Sequence, residues 1–158
     1  NLKSPFIEKA IYESCKIKKK IVEKDEKEKN LRKVLNFGHT FAHAFEASLG
    51  YSKKLNHGEA VLLGIHSAIK FSLDNKILKK KEHSSIINHY EKSKLPYNLK
   101  KFFSIKDINK IISFMTKDKK NKSSMINLIL LKKIGFPTID GQYNRKRIQL
   151  FFKKELAY

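Results

Sequence analysis

The sequence predicts a mainly α, helical bundle-like domain that carries one short β-strand or hairpin near residues 125–139. Three observations lead there. Apolar residues recur at spacings of three and four along most of the chain; one run alone, Met125 to Leu131, is short, apolar and partly β-branched; and no glycine-rich phosphate loop follows a strand. A complete nucleotide-binding domain is therefore not found. At 158 residues and 41% hydrophobic, the chain has material for one compact core, and 1–158 reads as a single domain.

The elements follow in order. Phe6, Ile7, Ala10, Ile11, Ser14, Cys15, Lys18, Ile21 and Val22 describe an amphipathic helix after Pro5, with Lys18 on its inward side. Glu23 to Asn30 reads as a helix end and loop. Leu31 to Leu49 reads as a second helix closed by Gly50. A third starts near Asn56, where Asn56 as cap and Glu59 three residues on make a capping-box signal, and runs to about Leu73. Glu82 to Lys92 is a fourth, before the break at Pro96. Ile105 to Thr116 is a fifth, with Ser104 and Asp107 in capping-box positions, and Asn144 to about Leu156 forms the last after a turn at Asp140-Gly141.

Charge is the most conspicuous feature of the composition. Lys+Arg is 35 against Asp+Glu 15, a formal +20 that raises nucleic acid or an anionic membrane as a partner. Only Arg32, Arg145 and Arg147 are arginines, however, and the lysines are spread over nearly every segment, whereas nucleic-acid surfaces concentrate charge and use arginine forks. Abundant Lys, Ile and Asn fit an A/T-rich coding bias, so the lysine runs read as solvated faces. No apolar run approaches the roughly 20 residues that span a bilayer, and the first residues lack a secretory apolar stretch. Cys15 is the only cysteine, which excludes an internal disulfide framework and suits a reducing compartment; cytoplasm is the expected location.

The chemistry concentrates in the second and third helices. On one helix Arg32, Asn36, His39 and His43 lie at i, i+4, i+7 and i+11, within about 60° of one another. Glu28 extends this stripe if the helix begins early. Asn and His are poor helix formers with little to offer a merely wet face, and the apolar flanks Leu35, Phe41, Ala42, Phe45 and Leu49 point the stripe toward a cleft. Gly38 inside such a helix costs about 1 kcal/mol relative to alanine, which close approach by a ligand or another backbone would explain. His57 stands at a helix start, where a neutral imidazole can ligate a divalent cation. The alternative for His43 is a half-buried histidine satisfied by a backbone carbonyl, and for His66, His83 and His89 that plain reading is preferred.

The stretch from Leu31 through Asn36-Phe37-Gly38-His39-Thr40 and His43 to Glu46, followed by Gly50-Tyr51 and Leu55-Asn56-His57-Gly58-Glu59-Ala60-Val61, resembles the signature of 3-dehydroquinate synthase. Ser14 to Lys18, Asp25 to Glu28, Asp118-Lys119-Lys120 and Leu130 to Gly135 support it on either side. The resemblance implies the helical C-terminal domain of the dehydroquinate synthase and glycerol dehydrogenase-like fold, here N-terminally truncated. It further implies a shikimate-pathway lyase that converts a seven-carbon keto-acid sugar phosphate (DAHP) to 3-dehydroquinate and phosphate, using NAD held by an N-terminal domain absent here and a divalent metal, zinc or cobalt. By the same resemblance His39 and His57 match metal ligands, and Lys18 and Arg32 match the residues that pair with the substrate carboxylate. Asn36 and His43 match phosphate-side contacts, and His43 with Glu28 matches proton-transfer positions. Lys120, or Lys119 beside it, matches a further phosphate contact. The family's third metal ligand, a glutamate, falls upstream of Asn1; Ala42 stands where many relatives have glycine. The implied assembly is a homodimer, with no specific nucleic acid and no membrane.

Three other readings compete. Other sugar phosphate cyclases and polyol dehydrogenase-like enzymes share the His-bearing helices, although the Lys18 and Arg32 pair favours a carboxylate-bearing substrate. A basic nucleic-acid-binding helical domain is a reading of a different class, opposed by dispersed lysine and the lack of a recognition-helix pattern. A truncated product that no longer folds stably is the third.

Overall fold

The structure is a computed structural model that describes residues 3–116 and 125–157. The chain forms two compact units, Asn1–Asn36 and Phe37–Tyr158. In the first, α1 (Phe6–Lys24) is followed by a loop and a six-residue 3-10 helix, Leu31–Asn36. The apolar spacing makes α1 helical as expected, but none of its residues is buried, and Phe6, Ile11, Tyr12 and Ile17 are open. Lys18 is exposed, not inward. Nineteen helical residues extend roughly 28 Å, and among the described residues of this unit one short 3-10 helix is the other regular element, too small to cover them. Asp25 organises the connecting loop: its carboxylate accepts the backbone N–H groups of Arg32, Asn30 and Lys29 at 3.0, 2.8 and 2.9 Å. Those donors hold its carboxyl below the usual range.

The second unit contains α2 (His39–Ser48), α3 (His57–Asp74), α4 (Lys80–Lys92), α5 (Ile108–Thr116), β1 (Met125–Lys133), β2 (Phe136–Asn144) and α6 (Arg145–Leu156). Phe41 and Phe45 of α2 meet Phe71 of α3, Phe103, and Phe151 and Phe152 of α6, and with Leu63, Ile111, Ile112 and Ile126 they fill the core. The capping signals hold. Glu59 accepts the Asn56 backbone N–H at 3.0 Å, and Asp107 accepts that of Ser104 at 2.8 Å. The second of these caps a 3-10 turn, Ile105–Asp107, so the fifth helix proper starts three residues later than the spacing suggests.

Two expectations are corrected. Leu31 to Leu49 is not one helix: it is a 3-10 helix to Asn36, then a turn, then α2, because Gly38 takes φ of 80° and N-caps α2. Arg32 and Asn36 thus do not share an α-helical stripe with His39 and His43. Nor is Asp140-Gly141 a turn. The hairpin reverses at Ile134-Gly135, where Gly135 has φ of 82°. The pairs Leu128↔Gly141 and Leu130↔Thr138 leave two β2 residues opposite one of β1, a bulge within the strand.

Close approach of α2 to α3 is what the glycines provide. A Cβ on Gly38 would stand 2.5 Å from the Ile65 backbone nitrogen, and one on Gly64 would run into the Gly38 carbonyl oxygen. The close approach expected at Gly38 is therefore another backbone. The sheet is tied to the helices by hydroxyls: Thr40 donates to the Asn127 carbonyl at 3.2 Å, and buried Ser72 donates to the Ala68 carbonyl at 2.6 Å while accepting the Leu131 N–H at 3.0 Å. Ser72→Ala strands that N–H and is expected to cost about 1–3 kcal/mol, read as a fall in Tm of about 2–4 °C per kcal/mol in thermal unfolding.

Candidate functional site

Three imidazoles gather where the start of α3 meets α2. His39 opens α2, His43 lies one turn on, and His57 is the first residue of α3 behind the Asn56 cap. Their ring centroids are 5.5 Å (His39 to His43), 6.2 Å (His39 to His57) and 6.4 Å (His43 to His57) apart. Glu46, seven residues past His39 and three past His43, lies on the same face of α2. Its carboxylate accepts from His57 Nδ1 at 3.0 Å. On the other ring, His39 Nδ1 lies 3.3 Å from the Phe37 carbonyl oxygen. A carbonyl can only accept, so His39 carries its proton on Nδ1 and leaves Nε2 as a lone pair.

His43 differs from both: it is exposed, and no hydrogen bond fixes its ring among the described residues. The half-buried, carbonyl-bonded alternative considered for it fits His39 instead. Burial pushes the His39 pKa down, and nearby His43 and His57 add to that, while the Phe37 carbonyl and Glu46 oppose it. His39 is thus neutral at pH 7, the form that ligates a cation.

The donor set suits a divalent metal of intermediate softness. With metal–nitrogen bonds of about 2.1 Å, the centroids of two rings sharing one tetrahedral cation stand roughly 5 Å apart. His39 and His57 are 6.2 Å apart. Among the described residues no group of three or more His, Cys, Asp or Glu side chains is gathered for a metal ion. Two imidazoles alone make an open site that needs a further donor.

In the first unit Glu28 and Asn36 come together: Asn36 Nδ2 donates to Glu28 Oε1 at 2.6 Å. The meeting is made through the loop, with Glu28 at φ of 52°, and not along a helix stripe. Arg32 Nη1 donates to the Glu26 carbonyl at 2.6 Å. Lys18 stands exposed on α1. Lys119 and Lys120 lie outside the described residues. Sequence reasoning missed Glu46 and Asp25 as site-building groups; the i+3 and i+7 spacing of Glu46 from the two histidines is the signal that could have found the former.

The remaining histidines separate. His89 is exposed. His66 is buried and His83 partly so, yet His66 Nδ1 and His83 Nε2 have no hydrogen-bond partner among the described residues, contrary to the satisfied-histidine reading. Both line a cavity of about 390 Å³ with Lys70, Tyr97, Lys100 and Glu155. Among the described residues no helix is long and apolar enough to cross a membrane.

Comparison with known proteins places this arrangement in context. Residues 1–121 match the family model described as 3-dehydroquinate synthase C-terminal. The chain is 63% identical over 156 residues to the 3-dehydroquinate synthase of Pelagibacter ubique (strain HTCC1062), covering 99% of this chain and 42% of that protein. It is 44% identical over 126 residues to that of Endomicrobium trichonymphae, covering 79% of this chain and 33% of the relative. The chain therefore spans well under half the length of these relatives. Among solved structures, 2-epi-5-epi-valiolone synthase from Streptomyces hygroscopicus subsp. jinggangensis 5008, with NAD+ and Zn2+ bound, superposes with a TM-score of 0.69 at 18% identity over 85% of this chain and 36% of that one. A 2-deoxy-scyllo-inosose synthase complexed with carbaglucose-6-phosphate, NAD+ and Co2+ gives a TM-score of 0.63 at 23% identity, covering 82% of this chain and 35% of that one. These two share the fold.

Proposed function

We propose, because this chain belongs to the 3-dehydroquinate synthase C-terminal family, that it is the metal- and substrate-holding part of an enzyme converting DAHP to 3-dehydroquinate and phosphate. The observation that carries the reading is the pair His39 and His57, whose Nδ1 atoms are both engaged by acceptors and whose Nε2 atoms are left for one cation. A divalent metal held by His39 and His57 would supply Lewis acidity toward a substrate oxygen.

The chain's own residues do the rest. Lys18 and Arg32 pair with the substrate carboxylate, the guanidinium offering a planar fork and the ammonium a point charge. Asn36 donates to phosphate oxygens while Glu28 holds its amide in place. His43, exposed and unheld, is suited to accept and return a proton at the phosphate side, and Glu28 is the second proton-transfer group. Lys120, with Lys119 as the alternative, makes a further phosphate contact. NAD and the remaining metal ligand come from residues outside this chain, and the complete enzyme is a homodimer in the cytoplasm. That the two cyclases sharing this fold hold NAD+ with Zn2+ or Co2+ supports that cofactor set.

Two measurements test the reading. Cobalt titration of the 158-residue chain should give a weak but saturable absorption change that His39→Ala and His57→Ala each abolish; a change surviving in both variants rejects the site. Incubated with DAHP, NAD and zinc, the chain alone should release no phosphate, and robust turnover would show that these residues suffice without a separate NAD-binding part.

A further inference from the structure

Glu46 is not explained by the substrate contacts above. We propose that it is a positioning residue: its carboxylate locks His57 in the Nδ1–H tautomer and so makes Nε2 the atom this ring presents to a cation. The consequence for the cation rests on the metal reading; the lock itself does not.

The geometry is asymmetric in the way a lock requires. The Glu46 side chain is 12% exposed and the His57 side chain 63% exposed, so the nearly buried carboxylate is the fixed member and the open ring is the one whose orientation needs fixing. Helical spacing explains the placement, since Glu46 shares the α2 face of His39 and His43 and is met by the first residue of α3. An ordinary surface ion pair is not what the chain builds here. The α2–α3 connection carries Lys53 and Lys54, yet among the described residues the side-chain partner of Glu46 is the imidazole. A carboxylate accepts and cannot donate when ionised, so a neutral His57 must put its proton on Nδ1. The Phe37 carbonyl imposes the same tautomer on His39. Two rings on two helices are thereby set alike by two different acceptors, and outer groups of this kind orient metal-binding histidines and raise their basicity. The full negative charge of Glu46 also complements a dication beside two neutral rings.

The test reads the tautomer directly. In the chain labelled with nitrogen-15 at histidine, free of metal and well above the ordinary imidazole range, His57 should show a protonated Nδ1 and an unprotonated Nε2. Glu46→Ala and Glu46→Leu both remove the acceptor and should return His57 to the mixture dominated by Nε2–H that imidazole favours in water. Glu46→Gln keeps a carbonyl acceptor and should keep the tautomer. Circular dichroism checks folding, the leucine variant preserving side-chain volume should the alanine variant unfold and the glutamine variant standing independently of both. Cobalt affinity should fall about 10–100-fold in the alanine or leucine variant and distinctly less in the glutamine variant. His57 retaining Nδ1–H without the acceptor, or losing it in the glutamine variant, overturns the proposal. Failure of the unmodified chain to bind cobalt would overturn the metal reading alone, because the tautomer is measured without metal.

Discussion

Gly64→Ala is expected to remove about 3 kcal/mol of stability, the upper end of what one added methyl usually does in a packed interior, and to disperse the histidine site with it. Most overpacked positions relieve strain by moving a side chain. Here the added Cβ meets the Gly38 carbonyl oxygen and, at 2.9 Å, the Ala42 backbone nitrogen, so α2 and α3 must separate as bodies. His39 opens one helix and His57 opens the other, which makes the inter-helix distance the quantity that sets their 6.2 Å separation. Thermal unfolding should show Tm lowered by roughly 6–12 °C at about 2–4 °C per kcal/mol, and the cobalt signal should weaken in whatever fraction stays folded. Gly58→Ala is the control: nothing lies within 4 Å of a Cβ there. It replaces glycine by the best helix former and should be neutral or stabilising by up to about 1 kcal/mol. Gly64→Ala as stable as Gly58→Ala would show that helix propensity, not close approach, governs both positions.

The same two glycines explain which parts of the molecule could be read from sequence. Helix existence is written in local spacing: α1, α3, α4 and α6 follow the apolar periodicity and the Asn56 cap, while the Ser104 cap opens a 3-10 turn that leads into α5. The break at Gly38 is a tertiary matter. A helix through 31–49 satisfies the periodicity, and only the backbone of α3 lying against it decides for a left-handed residue there. The hairpin differs for a similar reason: Asp140-Gly141 has the composition of a turn, but the reversal at Ile134-Gly135 sets a register in which Gly141 pairs with Leu128 and Asp140 falls in a bulge.

Candidate site residues divide along the same line. His39 and His57 are visible because their motifs are local, whereas the spacing puts Glu28 and Asn36 merely on one helix stripe and the structure joins them by a hydrogen bond through a loop. Spacing puts Glu46 on the face of His39 and His43, but its contact with His57 depends on where α3 begins relative to α2. Periodicity alone puts Lys18 on an inward side, yet it is exposed; the amphipathic pattern of α1 states which residues share a face and says nothing of what covers it.

Between pH 7 and pH 4 the protein is expected to lose about 3 kcal/mol through His66 alone. His66 is 7% exposed and its pKa is pushed down to about 4, first by burial, then by the Lys70 ammonium and by His83. The unfolded chain takes up a proton at the ordinary value near 6.5, while the folded chain resists until about 4. Acidification through that window therefore draws the equilibrium toward the unfolded state, and stability is full above the upper value. Pairing does not rescue the charged form. Lys70 is held by Glu155 at 2.7 Å and Lys154 by Asp74 at 2.8 Å, so the nearby carboxylates already have cations, and Lys100 adds another positive charge to the cavity wall. His39 and His83 are shifted in the same direction and steepen the loss. Urea unfolding of the wild type and of His66→Leu at several pH values isolates the His66 share, because carboxylate protonation contributes equally to both. The slope of stability against pH should flatten in the variant between about 6.5 and 4, whatever the variant's stability at neutral pH. Identical slopes would mean that His66 finds a way to be charged while folded, and the cavity beside it would then have to open to water before the domain unfolds.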